Sequence, residues 1–185
     1  RAELKRLHKQ FGLTIVYATP DELEALSMGE EIAVMRDGNV VQLGSPDELY
    51  ESPADTYVAG KIGSPHMNMV KVTVARDGKS LDTPFGPVAA HRSLKAAAGE
   101  KALLGIRPSD IGIGGKGKGA LVSKVHMLEP LGDVTIVSVE TAGETLRVLL
   151  PESRAIGMKP GDSAHIMIDP KKIHVFRAET GQAMA

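Results

Sequence analysis

Apolar positions in the first sixty residues follow a helical period in some stretches and gather into short β-branched runs in others. Leu4, Leu7 and Phe11 fall on one face of a helix expected from about Ala2 to Gln10, which Gly12 is placed to stop. Leu13 to Ala18 is a short apolar run of the kind that fills a buried strand. A second helix is expected over Pro20 to Met28, because Glu22, Leu23, Ala25 and Leu26 favour helix. Thr19 is its expected N-cap, with Pro20 at the first helical position and Glu22 three residues after the cap. Ile32 to Met35 and Val40 to Leu43 predict a hairpin around the turn Arg36-Asp37-Gly38-Asn39. Ser45-Pro46-Asp47-Glu48 and Ser52-Pro53-Ala54-Asp55 then repeat one grammar for a helix start, with Ser at the cap, Pro at the first position and an acid three residues on.

Beyond Gly60-Lys61-Ile62-Gly63-Ser64-Pro65 the pattern changes to alternating or β-branched runs. They cover Val70 to Ala75, Ala102 to Ile106, Ala120 to Leu128, Val134 to Glu140, Thr145 to Leu150, His165 to Ile168 and Ile173 to Phe176. Turns such as Asp77-Gly78, Ala142-Gly143 and Pro160-Gly161 separate them, and only Ser93 to Ala98 offers a turn or two of helix. Many short strands at this spacing predict a small antiparallel barrel. The boundary between α/β material and barrel is expected near residues 63 to 66.

Composition narrows the chemistry. The chain has 185 residues, enough for one large or two small domains, and a formal net charge of -1, which gives no electrostatic reason to expect nucleic acid or an anionic membrane as main partner. Cysteine is absent, which excludes disulfides, thiolate metal sites and cysteine nucleophiles. No apolar stretch approaches the roughly 20 residues that span a bilayer. The chain opens inside an amphipathic pattern without an initiating Met, so it is expected to be a piece of a longer protein.

Several motifs mimic functional sites. Gly112-Ile113-Gly114-Gly115-Lys116-Gly117 has dinucleotide-loop spacing, and Gly112 to Gly119 nearly satisfies a P-loop. A phosphate cradle needs a helix to begin at the loop's end, whereas Ala120 to Val125 reads as strand, so a basic loop between barrel strands is expected. His8, His66, His91, His126, His165 and His174 are dispersed and have no metal-ligand spacing. Glu129 and Asp133 flank Pro130-Leu131-Gly132 as solvated acids of a tight turn. Met35, Met67, Met69 and Met127 are expected to fill core gaps. After residue 65 only Phe85 and Phe176 are aromatic, too few for the stacking platforms of single-strand nucleic-acid binding.

From Leu4 onward the chain resembles the C-terminal portion of ABC importer ATPase subunits of the maltose, oligosaccharide and glycerol-phosphate group. The stretches that carry this are Glu24-Ala25-Leu26, Ile32 to Gly38, Gly44 to Tyr50, Val58-Ala59-Gly60 and Ile62 to Asn68. In the second half they are Leu104-Gly105-Ile106-Arg107-Pro108 and Glu129-Pro130-Leu131-Gly132. The resemblance implies an α/β tail of a RecA-like nucleotide-binding domain over residues 1–63. An all-β OB-like barrel, used for regulation and dimerisation, is implied over residues 64–185.

The resemblance also assigns a role to position 20. The residue after the strand's final Thr is, in these ATPases, a histidine facing the γ-phosphate; here it is Pro20. Pyrrolidine has neither donor nor acceptor for a phosphate or an attacking water, so the implied ATP site is degenerate. Walker A, Walker B and the Leu-Ser-Gly-Gly signature do not occur in these 185 residues. ATP and Mg²⁺ are therefore expected to bind the intact parent and not this fragment, and the fragment alone is not expected to be an enzyme. The implied partners are a second ATPase subunit, identical or paralogous, and membrane permease subunits at the cytoplasmic face of the inner membrane, with no direct membrane insertion and no nucleic acid. A regulatory and dimerisation module that binds a partner protein or small effector without catalysis is the alternative.

Overall fold

A computed structural model describes residues 2–114 and 120–184. The chain divides after Gly63 into two compact units.

The first unit holds helices α1 (Ala2–Phe11) and α2 (Glu22–Met28), the hairpin strands β1 (Ile32–Arg36) and β2 (Asn39–Gly44), and helices α3 (Pro46–Glu51) and α4 (Thr56–Lys61). Gly12 takes φ +61° after α1, the left-handed conformation a glycine stop requires. The hairpin closes at Asp37-Gly38, both at positive φ, with Arg36 paired to Asn39. Its inward face, Ile32, Val34 and Val41, packs on a small core of Leu49, Val58 and Ile62.

Three expectations for this unit need correction. Leu13 to Ala18 is not a strand: Leu13, Ile15, Val16 and Tyr17 are exposed, Val16 to 95%. An extended segment becomes a strand only through a hydrogen-bonded neighbour, and among the described residues none runs beside it. The second helix starts at Glu22 rather than Pro20, because Asp21 takes the N-cap by accepting from the Glu24 N–H. Likewise α4 starts at Thr56 with Asp55 as cap, and Ser52 closes α3 instead. Asp55 wins because its carboxylate reaches the Val58 N–H at 2.9 Å while pairing with Arg36 at 3.4 Å. Only Ser45 holds the full capping box, reciprocated by Glu48.

Among the described residues the second unit carries ten strands. These are β3 (Asn68–Val74), β4 (Ser80–Thr83), β5 (Gly86–Ala89), β6 (Lys101–Ile106), β7 (Ile111–Ile113), β8 (Leu121–Pro130), β9 (Val134–Thr141), β10 (Glu144–Pro151), β11 (Ser163–Ile168) and β12 (Ile173–Arg177). A short helix α5 (Glu152–Ala155) follows β10, and 3-10 turns cover Lys95–Ala97 and Pro108–Asp110. Two five-stranded antiparallel sheets result, ordered β10-β9-β8-β11-β7 and β12-β6-β3-β4-β5. Alternation along the strands delivers Val70, Val72, Val74, Leu104 and Ile106 from one sheet and Val125, Val137, Val139, Leu146 and Val148 from the other to one continuous core.

Asn68 joins the sheets where backbone pairing stops. Its side-chain amide donates to the Ile106 carbonyl at 3.1 Å and the Arg147 carbonyl at 2.9 Å, and its oxygen accepts the Arg147 N–H at 2.8 Å. An asparagine side chain thus imitates a strand partner for the edge strand β10 and satisfies backbone groups that burial would otherwise penalise.

Candidate functional site

Pro20 lies exposed in the bend before α2. The residues around it are tied to one another. Thr19 Oγ1 accepts the Asp21 N–H at 3.0 Å and donates to Glu24 Oε2 at 2.9 Å, and the Tyr17 hydroxyl donates to the same carboxylate oxygen at 3.0 Å. The network passes around the proline without using any of its atoms. Three acids, Asp21, Glu22 and Glu24, follow Pro20 in the chain, and the polar hydrogens of Thr19 and Tyr17 are directed at Glu24.

A second polar cluster joins the hairpin to α4. Arg36 and Lys61 both lie over the Tyr57 ring, at 5.0 and 5.7 Å from its centroid, and the Tyr57 hydroxyl donates to the Met35 carbonyl at 3.0 Å. With buried Asp55 beneath Arg36, these contacts pin α4 to β1. Pattern reading missed this cluster because Met35 and Arg36 lie 19 to 26 positions from Asp55, Tyr57 and Lys61 and share no periodicity with them.

Other candidate motifs resolve individually. Gly112 and Ile113 lie in β7, Gly115 to Gly119 lie outside the described residues, and β8 follows from Leu121, so no helix starts where a phosphate cradle would need one. Glu129 and Asp133 are exposed about the turn at Gly132, which has φ +108°. Among the described residues no three His, Asp or Glu side chains are grouped to hold a metal. Met67 is buried, its sulfur packed close to Gly105, but Met35 and Met127 are exposed to 55% and 44%, contrary to the core role expected of them. Met35 sits on the hairpin's outward face, and Met127 follows a bulge at Val125/Met127 that turns it outward. No helix among the described residues is long and apolar enough to cross a membrane.

Comparison with known proteins places both units. Residues 63–111 match the MalK OB fold domain and residues 104–176 the TOBE domain. The whole chain is 34% identical to the sulfoquinovosyl glycerol transport ATP-binding protein SmoE of Agrobacterium fabrum, covering 52% of that protein. It is 37% identical to the trehalose/maltose import ATP-binding protein MalK of Thermococcus litoralis, again over all of this chain and 52% of the relative. With the sn-glycerol-3-phosphate import ATP-binding protein UgpC 1 of Rhizobium johnstonii, identity is 34% over 98% of this chain and 49% of the relative. The chain therefore spans about half the length of these relatives. A solved structure of the cytoplasmic molybdate-binding protein ModG, with molybdate bound, superposes with a TM-score of 0.50 at 19% identity, over 58% of this chain and 94% of that one. That likeness shows the fold of the barrel unit alone. The strands that enclose the second core are thus an OB-like barrel, and the chain matches the C-terminal region of ATP-binding subunits of sugar and glycerol-phosphate ABC importers.

Proposed function

We propose that this chain is the C-terminal part of an ATP-binding subunit that energises the import of a sugar or polyol, and that the subunit's own ATP site is degenerate at Pro20. The carrying observation is the ordered match over the full length of the chain to import ATP-binding subunits, with Pro20 in the bend that leads into α2. Residues 1–63 are read as the tail of a RecA-like nucleotide-binding domain. Residues 64–185 are read as the regulatory and dimerisation barrel. ATP and Mg²⁺ are then held by the remainder of the parent. A second ATPase subunit, identical or paralogous, and membrane permease subunits at the cytoplasmic face complete the assembly.

The chemistry assigned to position 20 is one of omission. A side chain that orients a γ-phosphate and its attacking water contributes positioning and electrostatic stabilisation. Loss of one such group costs on the order of 10² to 10³ in rate. Because Thr19, Asp21, Glu24 and Tyr17 hold the bend without help from Pro20, a histidine can be installed there without dismantling the helix start. Steady-state ATP turnover of the full-length subunit is therefore expected to rise by about 10² to 10³ on Pro20→His. High turnover of the unmodified subunit alone, unchanged by the substitution, removes the reading of degeneracy.

The second reading, a regulatory and dimerisation module without catalysis, is favoured by the separately enclosed core of the barrel unit. It requires only that the barrel recognise a protein or small effector, and the two readings are compatible in one parent subunit.

A further inference from the structure

A groove of about 520 Å³ opens where β8, β9 and β11 run side by side, with Val122, Lys124, Glu140, Thr141, Gly161 and Ser163 in its lining. Strand register builds its floor. Lys124 on β8 stands opposite Glu140 on β9 and Ser163 on β11, and Glu140 stands opposite Thr145 on β10. Cross-strand partners point to the same side of a sheet. The neighbouring positions Ser123, Val125, Val139 and Ala164 are buried, so this row of hydroxyl, carboxylate, ammonium and hydroxyl faces outward. Hydrogen bonds fix the walls. Thr141 Oγ1 donates to the Val122 carbonyl at 3.1 Å, the Gly161 N–H to the Val125 carbonyl at 2.7 Å and the Val125 N–H to the Asp162 carbonyl at 2.8 Å.

Opposite charges on facing strand positions ordinarily pair. Here, among the described residues, neither Lys124 nor Glu140 has an ion pair or a side-chain hydrogen bond, and Ser163 Oγ has no hydrogen-bond partner. Gly161 gives the reason. Its φ of +95° and its missing Cβ leave room above the turn into β11, and Lys124 Cε lies 4.0 Å from where a Cβ would stand. The lysine stem thus runs toward the β11 side of the groove, away from Glu140 on β9. We infer that the groove binds a small zwitterion, with an ammonium and a carboxylate a few atoms apart as in a free amino acid. This gives the small effector of the second reading above a chemical class, and it rests on that reading for its consequence only. The ligand carboxylate accepts from Lys124 Nζ and Ser163 Oγ, its ammonium donates to Glu140, and Val122, 69% exposed, meets a short apolar side chain.

Charge selects this class. The groove carries one cation and one anion on adjacent strands, whose backbones run about 4.8 Å apart. A simple anion drawn to Lys124 is opposed by Glu140, and a simple cation drawn to Glu140 is opposed by Lys124. A molecule that carries both signs satisfies both. Lys124, Glu140 and Ser163 are all exposed, so solvent and salt screen the contacts. Affinity is therefore expected to be weak, with a Kd of about 1 to 10 mM.

The test is a titration of the 185-residue chain read by its amide shifts. L-alanine, taken to about 50 mM, is expected to give saturable shifts at residues 122–124, 139–141 and 161–163. Acetate and methylammonium, matched in ionic strength, are each expected to bind at least about tenfold more weakly. Lys124→Ala and Glu140→Gln are each expected to weaken alanine binding roughly tenfold, and Ser163→Ala about threefold. The three positions are exposed, and unshifted amides of Val137 and Val148 report that a variant is folded. Absence of saturable shifts overturns the inference. So does acetate that binds as tightly as alanine, or folded variants that bind alanine normally. ATP turnover of the full-length subunit, with and without alanine, separates the site from its consequence. Binding without an effect on turnover supports the site and retires the effector reading, whereas an effect on turnover without binding in the groove retires the site alone.

Discussion

The two units of this chain use the same residue types to opposite ends. In the barrel, β-branched runs find hydrogen-bonded neighbours, and alternation sends one side of every long strand into a shared core. In the first unit, the run Leu13 to Ala18 has no strand beside it among the described residues, and the hairpin buries only one of two apolar faces, leaving Met35, Val40 and Leu43 exposed. Strand propensity is therefore a statement about fit to a partner surface, not about a segment in isolation. The contrast also ranks stability: a core confined to Leu49, Val58 and Ile62 cannot match one that runs through two sheets.

The largest effect expected of a change within either unit is at Asn68, the joint of the barrel. Asn68→Ala leaves the Arg147 N–H and its carbonyl without their side-chain partner, at a cost of about 3 kcal/mol, and amide exchange should accelerate across β3 and β10 while the hairpin is untouched. Exchange that rises equally in both units would show that they unfold as one and erase the contrast. Residue-resolved exchange is the proper readout, because a single melting temperature is not well defined for a chain of two units.

Leu49→Ala is the matching probe of the first unit. The substitution is expected to cost about 2 kcal/mol, at the low end for buried leucine because a small cluster can collapse around the gap. In the unmodified chain, amides of residues 1–60 are already expected to exchange faster than those of the barrel. Leu49→Ala should bring α3, α4 and the hairpin close to the unprotected limit and leave Val137 and Val139 protected. Equal protection throughout the unmodified chain would contradict the ranking.

The smallest effect is a pH dependence of the Ser45 capping box. The Ser45 backbone N–H, at 2.8 Å, and then its hydroxyl hold the Glu48 carboxyl below the ordinary glutamate value. A carboxyl depressed on folding stabilises the folded state above its unfolded pKa, near 4.3, and that contribution disappears as pH falls through the lower, folded value. The group is fully exposed and screened by solvent, so the change is confined to fraying of α3 in acid. Carbon-13 shifts of α3 between neutral and acid pH should register it, and Glu48→Gln should flatten the profile. An unaltered profile in that variant would assign the acid sensitivity elsewhere.

Much of the architecture was legible in residue order. The hairpin at Asp37-Gly38, the capping box at Ser45 and seven barrel strands lie within a residue or two of where periodicity and turn chemistry place them. The short strands β4, β5 and β7 were not, because Leu81 and Val88 offer one buried residue each and no run to recognise. The same limit applies to the polar groups. Asp21 and Asp55 displaced the expected caps at Thr19 and Ser52, since a carboxylate two or three residues along met the helix amides in better geometry.

By itself the sequence determined the period of each segment, its turns and its strand alternation, all of which depend on neighbours within a few positions. It also determined that position 20 is a proline, and with it the chemistry that residue withholds. Only the tertiary structure decided which polar groups meet: Asn68 with Arg147, 79 positions away, and Arg36 with Asp55. Local preference is set by short-range sterics and hydrogen bonding along the chain. Long-range pairing is set by which surfaces must leave water together, a choice made by the whole fold.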